Sequence, residues 1–140
     1  MQRTVRRYAD RCKLARLLPG PRCVYQNNAM KFLDPDTEGA VRNFLARIPA
    51  DVQLDRAILF GSRARGEHKP DSDADLALIM HERGNDGLTF RMLVDLTCDV
   101  FDETGIMIQP LPIAIHDWLH PDDFLRPGIL KTIAREGIVM

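Results

Sequence analysis

Two short apolar runs constrain this chain most. Ala57-Ile58-Leu59-Phe60 stops at Gly61, and Leu76-Ala77-Leu78-Ile79-Met80 begins directly after the acidic cluster Asp71-Ser72-Asp73-Ala74-Asp75. Apolar runs this short, bounded by turn-forming residues, are the pattern of buried strands rather than helices. Buried strands need helices to cover them, and the flanking sequence supplies these. Asp34 suits an N-cap, Pro35 suits the first helical position, and Val41, Phe44, Leu45 and Ile48 make one stripe of a helix ending near Pro49. After the turn signal Gly84-Asn85-Asp86-Gly87, residues 88–102 carry Leu88, Met92, Leu96 and Val100 at helical spacing, and Gly105 is a plausible stop. Residues 106–110 read as a third strand, with Pro110 at its end or on a sheet edge. Residues 129–136 read as a last short helix ending at Gly137.

With 140 residues, 45% of them hydrophobic, the chain has material for one core and not comfortably for two. No stretch approaches the roughly 20 apolar residues that cross a bilayer, and the N-terminus lacks a secretory pattern, so a cytoplasmic location is expected and no membrane partner. Cys12, Cys23 and Cys98 are odd in number and lack CxxC spacing, which argues against a disulfide framework or a zinc knuckle. The formal net charge of −1 gives no reason to expect a sequence-independent grip on nucleic acid. Charge is unevenly placed, however. Residues 1–29 hold seven Arg or Lys and only Asp10, about +6, whereas residues 30–140 are about −7. Residues 1–29 are therefore expected to be a basic, weakly ordered extension broken at Leu18-Pro19-Gly20-Pro21, and residues 30–140 the domain. The alternative for the extension is an amphipathic helix with Val5, Tyr8, Cys12 and Ala15 on one face.

Chemistry concentrates between the two apolar runs, in Gly61-Ser62-Arg63-Ala64-Arg65-Gly66 and Ser72-Asp73-Ala74-Asp75-Leu76. Gly61 lets the backbone leave a strand sharply and lets a phosphate approach without meeting a Cβ. The following amides open a helix, where the dipole favours anions, and Ser62 adds a hydroxyl donor. Side chains two apart on a strand face the same way, so Asp73 and Asp75 can share one or two hard cations such as magnesium. An Asp-x-Asp alone is usually a solvated loop. Order and spacing raise this one above that reading.

In that order and spacing the chain resembles the minimal nucleotidyltransferases of the DNA polymerase beta superfamily. The resemblance rests directly on about twenty residues and agrees with the order of elements from residue 34 to about 112. It implies an α+β nucleotidyltransferase fold, a small mixed β-sheet with helices packed on one face. It further implies a nucleoside triphosphate held by Gly61, Ser62, Arg65 and Gly66, with Asp73 and Asp75 as metal-binding catalytic carboxylates for one or two Mg2+. The reaction implied is transfer of a nucleoside monophosphate, AMP from ATP being the expected case, to a hydroxyl of a protein or small molecule. Such enzymes supply a third carboxylate from the next core strand. Here that position falls on Gln109, whose amide cannot accept a proton, leaving Asp95 or Asp99 as substitutes or turnover reduced. An alternative reading is therefore an interaction protein of the same fold, such as the antitoxin partner of a HEPN-type toxin. The acceptor is expected to come from a protein partner of that kind or from a homodimer interface.

Other constellations are weaker. Arg63 and His68 have the Arg-x4-His spacing of HEPN ribonucleases, but the motif straddles Gly66 rather than lying on a long helix. His116 and His120 suit one face of a helical zinc site, but no further Cys or His completes it. Arg63, Arg65 and Lys69 are candidates for neutralising a triphosphate.

Overall fold

The computed structural model describes residues 23–26, 29–81 and 87–140. The first elements are a two-stranded antiparallel hairpin, β1 (Cys23–Gln26) and β2 (Ala29–Phe32). The expected boundary between residues 29 and 30 thus falls inside β2; residues 1–22, with the stripe from Val5 to Ala15, lie outside the described residues.

Helix α1 (Pro35–Arg47) forms where its caps dictate. The Asp34 carboxylate accepts from the Thr37 amide at 3.1 Å and the Thr37 hydroxyl at 2.7 Å, and Pro35 opens the first turn. It ends because Ile48 precedes Pro49, which pushes it into extended backbone. The two apolar runs become β3 (Leu54–Phe60) and β4 (Ala74–Met80), paired antiparallel. Helix α2 (Gly61–Arg65) follows β3 directly, and α3 (Gly87–Thr104) carries the chain over to β5 (Ile108–Ala114), which pairs parallel to β4. A parallel neighbour requires such a crossover. The chain ends in α4 (Ile115–Leu119), α5 (Pro127–Glu136) and the two-residue strand β6 (Ile138–Val139), which pairs antiparallel with β3. The order β5-β4-β3-β6 makes a mixed sheet with β4 in its interior.

The fold is α+β, with the two long helices on one sheet face. Val41 and Phe44 of α1 and Leu93 and Val100 of α3 share a core with Ala57, Leu59, Leu76, Leu78 and Ile108. A smaller cluster on the other face joins Ile58, Ala77, Ile79 and Ile113 to Leu130 and Ile133 of α5. The C-terminal helices therefore cover part of the second face, which explains why β4 is apolar at successive positions rather than alternate ones.

Two features depart from the sequence reading. The third strand is 108–114 rather than 106–110 and runs through Pro110 and Pro112. It can do so because β5 is an edge strand: alternate N–H groups face solvent, and a proline there removes no ladder bond. Strand β6 is too short to show as a pattern. It is held by Gly137, where a Cβ would collide with the Ile133 carbonyl and Ile58 Cγ2, so only glycine lets α5 turn this close to β3. Among the described residues, no helix is long and apolar enough to cross a membrane.

Candidate active site at the Gly61 turn

The site grows from one rung of the sheet. Phe60 pairs with Asp75 across β3 and β4, and Asp75 pairs with Gln109 across β4 and β5. Residues on one rung present their side chains to the same face. The residue after Phe60 is Gly61, with φ +75°, a left-handed conformation that glycine adopts without strain. A Cβ built on Gly61 runs into the Asp75 carboxylate, so the turn and the carboxylate are in direct juxtaposition. Gly61 is thus required for a reason the sequence did not disclose: it leaves room for the Asp75 carboxylate.

From Gly61 the chain makes one helical turn, α2, closed at Gly66 in the left-handed conformation, with the Gly66 and Glu67 amides both donating to the Ser62 carbonyl. Ser62 is half-buried at the start of this turn. Asp73 sits one residue before β4, exposed rather than within the strand. The following amide, of Ala74, donates to the Met107 carbonyl at 2.8 Å and ties this entry to the start of β5. Asp73 still acts on Asp75. Burial pushes the Asp75 carboxyl above its ordinary value, the charge of Asp73 adds to that push, and Arg65 opposes it. Two carboxylates that repel at a half-buried position are a donor set suited to a divalent cation. Among the described residues no cluster of three or more His, Cys, Asp or Glu forms, so magnesium here would have two carboxylates and take its remaining ligands from water and phosphate oxygens.

The basic residues divide by role. Arg63 is not a phosphate ligand: it is 4% exposed, and its guanidinium donates to the Ser72 carbonyl at 2.8 Å, the Pro70 carbonyl at 3.3 Å and the Thr37 hydroxyl at 2.7 Å. It clamps the segment before Asp73 to α2 and to the start of α1. The resemblance names Arg65 and not Arg63 for the triphosphate, but no sequence signal discloses the clamp that Arg63 forms instead. Arg65 remains near the carboxylates, with ion pairs to Glu67 and Glu136, each at 2.8 Å. Both pairs hold its guanidinium firmly charged. Glu136 was not anticipated; it lies seventy-one positions away and meets Arg65 only through the fold. Lys69 serves the turn through its backbone, its amide donating to the Ser72 hydroxyl at 2.9 Å.

The remaining candidates lie elsewhere. Asp95 and Asp99 are exposed on α3, against the sheet face opposite to Asp75, and Asp99 stands 3.9 Å from Arg47. Neither can replace the acid missing at Gln109. His68 lies outside any helix, 3.6 Å from Asp34, so it shares no ribonuclease geometry with the buried Arg63. The rings of His116 and His120 lie 4.7 Å apart between centroids, tilted by 39°, and belong to no cluster of three or more His, Cys, Asp or Glu among the described residues. A groove of about 470 Å3 runs past Asp71, Ser72, Asp73, Phe101 and Met107. A larger cavity, about 710 Å3, opens beside Asp34, Gly39 and His68. There the Asp34 carboxylate is committed to Thr37; burial alone would raise its pKa, but the Thr37 bonds and His68 outweigh that and hold it below its ordinary range.

The profile of the family described as "Polymerase beta, Nucleotidyltransferase" matches residues 45–139. A crystal structure of a candidate nucleotidyltransferase from Sulfolobus solfataricus is similar at 15% identity with a TM-score of 0.40, over 74% of this chain and 75% of that one. Comparison with curated proteins found no match.

Proposed function

Because this chain belongs to the polymerase beta nucleotidyltransferase family, through the match over residues 45–139, we propose that it binds a magnesium–nucleoside triphosphate at the Gly61 turn and transfers a nucleoside monophosphate to an acceptor hydroxyl, with pyrophosphate as the leaving group. AMP from ATP, onto a protein or small-molecule hydroxyl, is the expected case. The observation that carries this reading is the contact between Gly61 and the Asp75 carboxylate at the end of the Phe60–Asp75–Gln109 rung.

Asp73 and Asp75 would hold the metal, which when bound neutralises phosphate charge and orients the transferring group. Ser62 supplies a hydroxyl donor at the turn, and Gly61 keeps the approach free of a side chain. Arg65 supplies positive charge beside the carboxylates. Gln109 shares the Asp75 rung but cannot take a proton, so the attacking hydroxyl loses the general-base help worth about a hundredfold to ten-thousandfold. Turnover is accordingly slow relative to binding.

Gln109 also favours a second reading, in which the domain keeps nucleotide binding but serves as an interaction protein, for example as the antitoxin partner of a HEPN-type toxin. Incubation with magnesium and labelled ATP, with and without candidate acceptor proteins, separates the two. Slow labelling that Gln109→Asp accelerates and Asp75→Asn abolishes supports transfer. Labelling that survives Asp75→Asn refutes the assigned site.

A further inference from the structure

Two carboxylates of different standing hold Arg65. Its Nε donates to Glu67 Oε2 and its Nη1 to Glu136 Oε1, each at 2.8 Å. Glu67 lies just beyond the Gly66 cap, and its side chain is 64% exposed. Glu136 is the last residue of α5, and its side chain is only 13% exposed. Water screens an exposed pair and lets its partners exchange at little cost, whereas a largely buried pair keeps its geometry.

Helix chemistry does not account for Glu136. A carboxylate in the last turn of a helix faces the negative end of the helix dipole, where a cation is favoured. The fold nevertheless fixes this one in place. The Gly137 amide donates to the Ile133 carbonyl at 2.8 Å, Gly137 lies against Ile58, and Ile138 and Val139 pair with Leu59 and Ile58 of β3. Two residues further along β3 the chain reaches Gly61. The end of α5 is thus tied to the strand from which the Gly61 turn springs, and Glu136 meets Arg65 from that fixed position.

Resting on the triphosphate reading above, we propose that Glu136 is the positioning residue of Arg65: it anchors the guanidinium beside the Gly61 turn, while Glu67 occupies the place that a phosphate oxygen takes when nucleotide binds. Charge requires such an exchange. Arg65 is one cation paired with two glutamates, so even with Asp73 and Asp75 neutralised an incoming triphosphate would meet net negative charge. Displacing the exposed Glu67 costs least, because that carboxylate passes into water. Displacing Glu136 would take a 2.8 Å partner from a largely buried carboxylate. The C-terminal helix thereby contributes to the site through a residue that touches neither the metal nor the nucleotide.

Calorimetric titration of the full chain with magnesium and a non-hydrolysable ATP analogue tests the asymmetry between the two glutamates. Glu136→Ala should weaken binding about five- to tenfold, the worth of holding one long side chain in place, whereas Glu67→Ala should tighten it by removing a competing charge. In an Arg65→Ala background, Glu136→Ala should add less than about twofold, because its effect passes through Arg65. Alanine suits the last turn of a helix better than an acid does, and thermal melts confirm that the variants fold. Glu67→Ala that fails to tighten binding, or a Glu136→Ala loss of the same size without Arg65, overturns the proposal. If the natural protein binds no magnesium–nucleotide, the triphosphate reading fails instead, and the anchor is judged in the ligand-free chain. There, nitrogen relaxation should find Arg65 Nε rigid in the natural protein and mobile in Glu136→Ala; equal rigidity in both overturns the anchor.

Discussion

Gly61→Ala separates what glycine does for the backbone from what it does for Asp75. At φ +75° any side chain incurs left-handed strain, roughly 1 to 2 kcal/mol. The added Cβ also meets the Asp75 carboxylate, which must withdraw by roughly 1 Å to reach ordinary contact. A shift of about 1 Å in a catalytic group can reduce rate on the order of a hundredfold. The substitution should therefore destabilise the fold by about 2 kcal/mol, lowering Tm by about 5 to 10 °C for a domain of this size, and weaken magnesium binding. Introducing it also into Asp75→Ala isolates the two effects: with the carboxylate gone, only the strain should remain, and the difference is the coupling energy. Chemical denaturation of the four proteins, with calorimetric magnesium titration of the two that keep Asp75, measures both. Equal destabilisation in the two backgrounds would show that Asp75 does not lie against Gly61, and the reasoning about the turn would fail.

Asp75 carries a raised pKa, so the folded state holds its proton more tightly than the unfolded chain; stability from this group falls as pH rises above its ordinary value of 3.8, and the full penalty is present at neutral pH. Asp75→Asn should therefore raise Tm at pH 7 in chelator, with the gain disappearing as pH falls through that window; a lower Tm for the variant at neutral pH would show that the carboxylate is stabilised by partners instead. Gln109→Asp should raise labelling from ATP by about a hundredfold or more with little change in Tm, and an unchanged or lower rate would mean that the proton acceptor lies elsewhere. Arg63→Ala strands two carbonyls and a buried hydroxyl and should cost about 2 to 4 kcal/mol in denaturant unfolding; a change below about 0.5 kcal/mol would mean that the clamp is not structural.

What the sequence disclosed was what local physics controls. The cap at Asp34, the stop before Pro49 and the two apolar runs are short-range signals, and each lies where its chemistry put it. The position of Gln109 was legible too, because strand alternation needs only a correct phase: the rung with Asp75 holds although the strand's limits were misplaced. The limits failed because a proline's tolerance depends on which strand is an edge, a property of the whole sheet. The resemblance favoured Arg65 over Arg63 for the triphosphate, but the physical difference was not legible: only the carbonyls of Pro70 and Ser72 and the carboxylate of Glu136, set by tertiary packing, distinguish a buried clamp from a cation beside the carboxylates. Strand β6 and the C-terminal cover of the second face depend in the same way on a close approach at Gly137.

The central claim is that the Gly61 turn and the Asp73–Asp75 pair form one metal–nucleotide site, and calorimetric titration with a non-hydrolysable ATP analogue tests it most directly. Binding should require magnesium, and Asp73→Asn and Asp75→Asn should each weaken it at least about tenfold, or 1.4 kcal/mol, while both variants remain folded. Magnesium-independent binding, or an affinity that neither substitution changes, would contradict the assignment.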